Sequence, residues 1–166
     1  MTVRIGQGID AHAFAENQAG RTLRLGGVDI PGAPGLDGHS DADAVLHAVT
    51  DALLGAAGLG DLGALFGSDD PRYAGADSAV FVREALARVD AAGWAVGNLD
   101  CTVVAQRPRL AEHLPAMRAR LAELLAVEAA AVSVKATSTD GLGFTGRGEG
   151  IACLAVVLLT PRVGIG

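Results

Sequence analysis

The chain has 166 residues, of which half are hydrophobic and only 4% aromatic, and its formal net charge at pH 7 is −6. This length predicts one domain, 1–166, that is large enough to bury a core. The acidic balance argues against a nucleic-acid partner and against binding to an anionic membrane surface. No apolar run reaches the length of a membrane span and no signal sequence is evident, so we expect a cytoplasmic protein.

The N-terminal half combines strand patterns with one clear helix. In chain order, the patterns predict a strand over 3–8, a bent strand or hairpin over 23–30, a loop over 31–35, a helix over 41–57 and a functional loop over 58–71. Ser40 followed by Asp43 has the form of a capping box, which marks the expected start of the helix. The last segment holds too many Gly and Asp residues for regular structure.

The C-terminal half alternates helices and strands. The patterns predict a helix over 78–92, a strand over 94–105, a helix over 108–127 and strands over 133–137 and 149–160. No internal repeat or linker interrupts this order. Strands with interspersed helices predict an α/β fold in which a single-layer mixed β-sheet is covered on one face by α-helices.

Metal-binding side chains are concentrated near the N-terminus. Asp10 and His12 are two residues apart, so on a strand they point to the same face. Asp43, His47 and Asp51 follow at intervals of four, which places them along one stripe of a helix. If the strand and helix meet, Asp10, His12 and His47 supply the three N and O ligands of a catalytic zinc site, and the other carboxylates could orient His47. The alternative is that Asp10 caps a turn and the histidines are ordinary polar residues.

Three motifs resemble those of the 2-C-methyl-D-erythritol 2,4-cyclodiphosphate synthase family. They are the segments 4–14, 38–55 and 141–150, and the likeness extends from about residue 3 to residue 159. The resemblance implies a homotrimer of α/β subunits with active sites between neighbours, in the non-mevalonate pathway to isoprenoids. With 166 residues, we expect no room for the additional nucleotidyltransferase domain of bifunctional members.

The resemblance also implies the reaction and its metals. Zinc is expected on Asp10, His12 and His47, and the substrate is a cytidine diphosphate ester of methylerythritol 2-phosphate that closes to a cyclic diphosphate with release of CMP. His39 and Ser40, at the expected start of the helix, should bind phosphate beside outward-pointing backbone N–H groups.

The remaining site residues also come from the resemblance. Asp61, Gly63 and Phe66 correspond to the methylerythritol-binding loop, in which Ser68 stands where an Asp is common. Asp140 stands where the family usually has the Glu that binds a second divalent ion, Mg²⁺ or Mn²⁺. Cytidine and phosphate binding is expected at Ala105, Arg109 (often Lys in the family), Leu110, Ala136, Thr137 and Ser138. The expected catalytic residues are His39, Ser40, Asp61, Thr137, Ser138 and Asp140.

A last motif implies a second ligand. Phe144, Arg147 and Glu149 resemble residues that line a cavity on the trimer axis, where some family members hold an isoprenoid diphosphate; a purely structural salt bridge is the alternative. Two other functions stay open on the sequence alone. One is a zinc hydrolase that activates water at the same three ligands, and the other is a non-catalytic trimeric module that binds isoprenoid diphosphates.

Overall fold

The computed structural model describes residues 2–15, 20–67 and 70–162. Their elements in chain order are β1 (Arg4–Ala13), β2 (Thr22–Leu25), β3 (Val28–Pro34), α1 (Ala44–Ala57), α2 (Leu62–Phe66), α3 (Ala79–Ala91), β4 (Trp94–Val104), α4 (Leu114–Leu125), β5 (Val132–Thr137), α5 (Gly143–Gly146) and β6 (Gly150–Pro161). Short 3-10 turns lie at Pro71–Tyr73 and Ala129–Ala131. Within these described ranges, none of the helices has the length and apolar character needed to cross a bilayer.

The main sheet has four strands in the order β1-β6-β4-β5. The first two neighbouring pairs are antiparallel and β4 pairs with β5 in parallel, so the sheet is mixed. The strands β2 and β3 form a separate hairpin that turns at Gly26 and Gly27, both at positive φ. The predicted α/β fold with a mixed sheet and helices is confirmed.

The two faces of the sheet differ in burial. On β6, Ala155, Val157 and Leu159 are completely buried and face the helices, because each strand alternates its side chains between faces. The opposite face carries Ile5 at 67% exposure and Ile9 at 59%. One face therefore forms the core, while the other presents apolar side chains to the outside of the chain.

Three predicted boundaries in the N-terminal half are wrong. The first strand, predicted to end at 8, continues to Ala13 as β1. Helix α1 begins at Ala44 and not at 41, because Asp43 is its N-cap and accepts hydrogen bonds from the backbone N–H groups of Val45 and Leu46. The segment 31–35, predicted as a loop, belongs mostly to β3.

Two further predictions are wrong around helices α2 and α4. The segment 58–71 is not free of regular structure, since Asp61 caps α2 through a hydrogen bond from the Ala64 N–H. The helix predicted over 108–127 starts only at Leu114, with Pro115 in its first turn, where a missing N–H costs nothing. The departure noted at Ser68 lies outside the described residues.

Candidate functional site

The site depends on a close approach between β1 and α1. Gly6 and Gly8 face the helix, and a Cβ atom built on Gly8 would lie 1.9 Å from the carbonyl oxygen of Ala48. Only a residue without a side chain fits at this contact. Asp10 and His12 continue the same face of the strand, and His47 immediately precedes Ala48 on the helix. The two glycines thus allow the strand and helix ligands to meet.

The three predicted ligands converge. Asp10 Oδ2 lies 2.9 Å from His12 Nε2 and 3.1 Å from His47 Nδ1, and the two nitrogens are 3.2 Å apart. One ligand atom from each residue falls within 4.8 Å of the others. A metal-binding triad is therefore present, as the spacing predicted.

The second ring nitrogen of each histidine is already occupied. His12 Nδ1 donates to the backbone carbonyl of Asp37 at 2.7 Å, which leaves Nε2 as the free lone pair. His47 Nε2 lies 2.8 Å from Ser78 Oγ and 3.1 Å from Ser40 Oγ, which leaves Nδ1 toward Asp10. Because both free nitrogens point at the same carboxylate, the donor set suits a metal that takes N and O ligands.

Electrostatics couple the ligands to one another. Burial raises the pKa of the Asp10 carboxyl, but hydrogen bonds and charge from His12 and His47 lower it more, so the pKa lies well below its usual range. Burial lowers the pKa of His12, and its contacts with Asp10 outweigh that effect, so the pKa is raised above its usual value. The carboxylate is thus held ionised, as a metal ligand must be.

The other carboxylates of the predicted stripe do not orient His47. Asp43 is completely buried and accepts the N–H groups of Gly26 and Gly27 in addition to those of its own helix. Asp51 accepts the Leu62 N–H at 2.7 Å and so anchors the start of α2. The expectation that carboxylates on this stripe support His47 is wrong, because backbone N–H groups occupy them.

His39 and Ser40 lie just before α1 with different surroundings. His39 is exposed, and its Nε2 donates to the backbone carbonyl of Asp70 at 2.8 Å. Ser40 is buried and its hydroxyl contacts His47. The first N–H groups of α1 donate to Asp43 and do not point outward. The expectation that these N–H groups are available to phosphate is therefore wrong. Phosphate binding by His39 and Ser40 stays a prediction.

The expected methylerythritol loop is partly exposed. Asp61 and Gly63 are both open to solvent at the start of α2. Phe66, in contrast, is buried, with its ring centroid 4.9 Å from that of Phe81 and 5.7 Å from that of Tyr73. Its direct contact with a substrate therefore stays a prediction, since in this structure the ring serves packing.

The expected cytidine residues gather at the carboxyl ends of the parallel strands β4 and β5. Val104 pairs with Thr137, and the Ala105 N–H donates to the Thr137 carbonyl at 2.9 Å. Ala136, Thr137 and Ser138 are all exposed. The structure thus brings the two segments together in one open patch.

Three neighbours of this patch differ in exposure. Arg109 is exposed and Leu110 is buried, so only the first offers its side chain to solvent. Asp140 is exposed at φ 51° and accepts a hydrogen bond from the Ser138 hydroxyl at 3.0 Å. Its carboxylate is therefore open toward the surface.

The expected axial residues precede β6. Phe144 is exposed on the short helix α5. Arg147 Nε donates to Glu149 Oε1 at 2.6 Å, and both side chains are more than half exposed. The guanidinium is balanced by a carboxylate within the same chain.

The triad and the open patch of expected cytidine residues, called the cytidine patch from here on, lie on opposite edges of the sheet. Asp10 pairs with Cys153, Cys153 with Val103, and Val103 with Ala136, which defines one row across all four strands. Three strand spacings separate the ends of this row, or about 14 Å.

Comparison with known proteins places the chain in a family. Residues 3–160 match the YgbB family. The chain belongs to the YgbB family. The curated 2-C-methyl-D-erythritol 2,4-cyclodiphosphate synthase of Azoarcus sp. (strain BH72) is 58% identical over 156 residues, which is 94% of either chain. The resemblance stated from the motifs is confirmed.

Solved structures agree with this placement. The bifunctional IspDF of Campylobacter jejuni superposes with a TM-score of 0.91 at 41% identity, over 96% of this chain and 42% of that protein. The IspF of Plasmodium falciparum, solved as a CDP complex, gives a TM-score of 0.84 at 34% identity over 97% of each chain. This YgbB-family chain therefore spans less than half of the Campylobacter jejuni protein and nearly all of the Plasmodium falciparum protein.

Some contacts at the site could not be found from sequence patterns. Asp37 contributes only a backbone carbonyl, for which side-chain identity carries no signal. Ser78 has the residue type of a helix cap, but its side chain makes no capping hydrogen bond and contacts His47, 31 residues away. Only the folded arrangement reveals such long-range contacts.

Proposed function

We propose that this chain converts 4-diphosphocytidyl-2-C-methyl-D-erythritol 2-phosphate to 2-C-methyl-D-erythritol 2,4-cyclodiphosphate and CMP. The observation that carries the proposal is the convergence of Asp10, His12 and His47 in a chain of the YgbB family. The curated relatives bear the name of this synthase at identities of 56–58%.

The reaction needs no nucleophile from the protein. An oxygen of the substrate's 2-phosphate attacks the β-phosphorus, and the bond from that phosphorus to the bridging oxygen breaks, so that CMP leaves with the electron pair. The chain's task is to hold both ends of a flexible polyanion together and to stabilise charge on the phosphoryl oxygens. Exposed Asp61 can accept hydrogen bonds from hydroxyls of the methylerythritol part, with the exposed backbone at Gly63 beside it.

The metal of the triad is proposed to be zinc. Two imidazole nitrogens and one carboxylate are a donor set of zinc enzymes that keep one position open. When bound, zinc supplies a template and a Lewis acid for phosphoryl oxygens. His12 and His47 present their free nitrogens to it because their other nitrogens are hydrogen-bonded to Asp37 and to Ser40 and Ser78.

The opposite edge is proposed to bind the nucleotide. The Plasmodium falciparum neighbour was solved with CDP, which supports a cytidine nucleotide as the ligand of this fold. Strand-end backbone groups at Ala105 and Ala136 can bind the base, and the hydroxyls of Thr137 and Ser138 can donate to phosphate. Asp140 would hold the second divalent ion, Mg²⁺ or Mn²⁺, at the diphosphate.

The active species is proposed to be a homotrimer with shared sites. The triad and the cytidine patch stand on opposite edges of the sheet, about 14 Å apart along one row. An edge of one subunit next to the opposite edge of another would bring them together. The exposed apolar face with Ile5 and Ile9 offers surface that such an assembly can bury.

A further part of the proposal concerns a second ligand. Phe144 and Arg147, both exposed, would contact an isoprenoid diphosphate on the trimer axis, and Arg147 would then pair with the diphosphate in place of Glu149.

A cytoplasmic location is supported by Cys101 and Cys153, which are buried and unpaired as in reducing compartments.

Product analysis tests the proposed reaction. The zinc-loaded protein is incubated with the substrate and Mg²⁺, and the products are followed by ³¹P NMR. We expect two coupled phosphorus signals of a cyclic diphosphate together with CMP, and no product from His47→Ala. Linear phosphates would instead support the zinc hydrolase, and unchanged substrate would support the non-catalytic module.

A further inference from the structure

A mostly buried series of hydrogen bonds connects His47 to a carboxylate outside the metal-binding triad. Ser78 Oγ lies 2.8 Å from His47 Nε2 and donates its own proton to Asp41 Oδ1. Asp41 Oδ2 also accepts the backbone N–H of Ser78 at 3.1 Å. Asp41 therefore accepts two hydrogen bonds from Ser78, and Ser78 in turn contacts the expected metal ligand His47.

The chemistry of these groups fixes the direction of each hydrogen bond. A carboxylate can only accept, so the Ser78 hydroxyl proton points at Asp41. The hydroxyl oxygen can then only accept from His47, which requires the proton of the imidazole to be on Nε2. The lone pair is thereby left on Nδ1, the atom that lies 3.1 Å from Asp10 Oδ2.

Ser78 is better placed than Ser40 to control this nitrogen. Ser78 is completely inaccessible to solvent, so no water competes for its hydroxyl. Ser40 is farther from His47 Nε2, at 3.1 Å, and its hydroxyl contacts Ser78 at 3.2 Å instead of a carboxylate. Within the described ranges, the Ser40 hydroxyl therefore has no acceptor-only partner that would fix the direction of its proton.

The end of this hydrogen-bond series that lies away from His47 reaches the β2–β3 hairpin. The Arg24 guanidinium lies 3.8 Å from Asp41 and 3.4 Å from Asp77, and its Nε is buried without a hydrogen-bond partner among the residues that the structure describes. A cation beside Asp41 favours the acceptor role that the direction of the hydrogen bonds requires. The connection thus runs from Arg24 on β2 through Asp41 and the N-cap residue of α3, Ser78, to His47 on α1.

We propose that Ser78, held by Asp41, is a positioning residue that fixes His47 with Nδ1 turned toward Asp10 and so sets the affinity of the metal site. This inference rests on the proposed metal-dependent function. Neither residue touches the metal position, and both act through His47. Outer groups of this kind commonly change metal affinity by about 10- to 100-fold.

Zinc competition with a chromophoric chelator tests the proposal on the full-length protein. We expect Ser78→Ala to bind zinc at least about tenfold more weakly than wild type, and Asp41→Asn to show a similar loss. The double variant should be no weaker than Ser78→Ala alone, because Asp41 acts through Ser78. Losses that multiply in the double variant would overturn the proposal, since they would mean two independent structural effects.

Controls separate this inference from the proposed function. Thr50→Val is the matched control, because Thr50 on α1 also has a completely buried hydroxyl, but this hydroxyl donates to the Leu46 carbonyl and does not contact a metal ligand. This variant should keep the wild-type zinc affinity. Wild type that binds no zinc would count against the proposed function itself. Wild-type zinc affinity in Ser78→Ala would overturn only the positioning role. If Ser78→Ala does not fold, Asp41→Asn decides alone, and unchanged affinity there overturns the proposal.

Discussion

The two edges of the sheet are built differently. At the β1 edge, the side chains of Asp10, His12 and His47 are between 12% and 25% exposed, and in each histidine the ring nitrogen that faces away from Asp10 has a hydrogen-bond partner. At the β5 edge, Thr137 and Asp140 are exposed, and the side-chain hydrogen bonds that they make to described residues go to the neighbouring Ser138.

This difference indicates which part of the site one chain can complete. The β1 edge is organised by packing within the chain, so its ligands are in place before anything binds. The β5 edge carries exposed polar groups without such support from the described part of the chain.

Removing a ligand from the organised edge should have the largest effect. We expect His47→Ala to lose its bound zinc and nearly all activity while keeping its fold, because the apolar face of α1 is untouched. His113→Ala, a histidine outside the triad, should keep the full zinc content. Metal analysis of both purified variants decides, and a full complement in His47→Ala would remove this residue from the site.

Exposed apolar residues on the open face should control assembly. We expect the double variant Ile5→Glu/Ile9→Glu to change the species from trimer to monomer and to lose activity, because buried like charges oppose association. Light scattering at the assay concentration measures this. A fully active wild-type monomer would contradict a site shared between subunits.

A side chain at the contact between β1 and α1 should disturb the fold itself. A Cβ atom on Gly8 would overlap the carbonyl oxygen of Ala48, so Gly8→Ala should lower the free energy of unfolding by about 3 kcal/mol or more. Gly55→Ala is the matched control on α1, where the nearest atom is 4.0 Å from the new Cβ. It should be neutral or stabilising by up to about 1 kcal/mol in urea denaturation. Equal stability of both variants would contradict the close approach.

The open edge should respond more mildly to a single change. We expect Asp140→Asn to raise the Mg²⁺ or Mn²⁺ concentration for half-maximal rate by roughly tenfold, the scale of about 1.4 kcal/mol. Asn tolerates the left-handed backbone at this position, so the change removes charge without adding strain. The zinc content should not change. Asp140→Glu keeps a carboxylate and should therefore show the same dependence on Mg²⁺ or Mn²⁺ as the wild type. Superimposable titrations of Asp140→Asn and wild type would remove Asp140 from the site.

Much of this architecture follows from local patterns. The predicted helix over 78–92 agrees with α3 within one residue at each end, and the strands β4, β5 and β6 lie within one residue of their predicted bounds. The triad could be predicted because periods of two and four place its members on single faces of a strand and a helix. Gly6 and Gly8 supply the close approach that the periods alone do not reveal.

Other features could not be read from local patterns. Ser40 and Asp43 both have the residue types of an N-cap, and only the fold decides that Asp43 caps α1 while Ser40 contacts His47. The support of His47 by Ser78 and Asp41 joins segments more than 30 residues apart. Pro115 was an available signal for the late start of α4, since proline favours the first turn of a helix.

Complementation between two damaged edges tests the shared site most directly. His47→Ala disables the β1 edge, and Ala136→Trp should block the exposed β5 edge without disturbing the core. Each variant alone should be inactive. After co-refolding in equal amounts, we expect about a quarter of wild-type activity, because each site then draws one edge from each of two randomly assorted neighbours. A mixture as inactive as its parents would contradict a site formed between subunits.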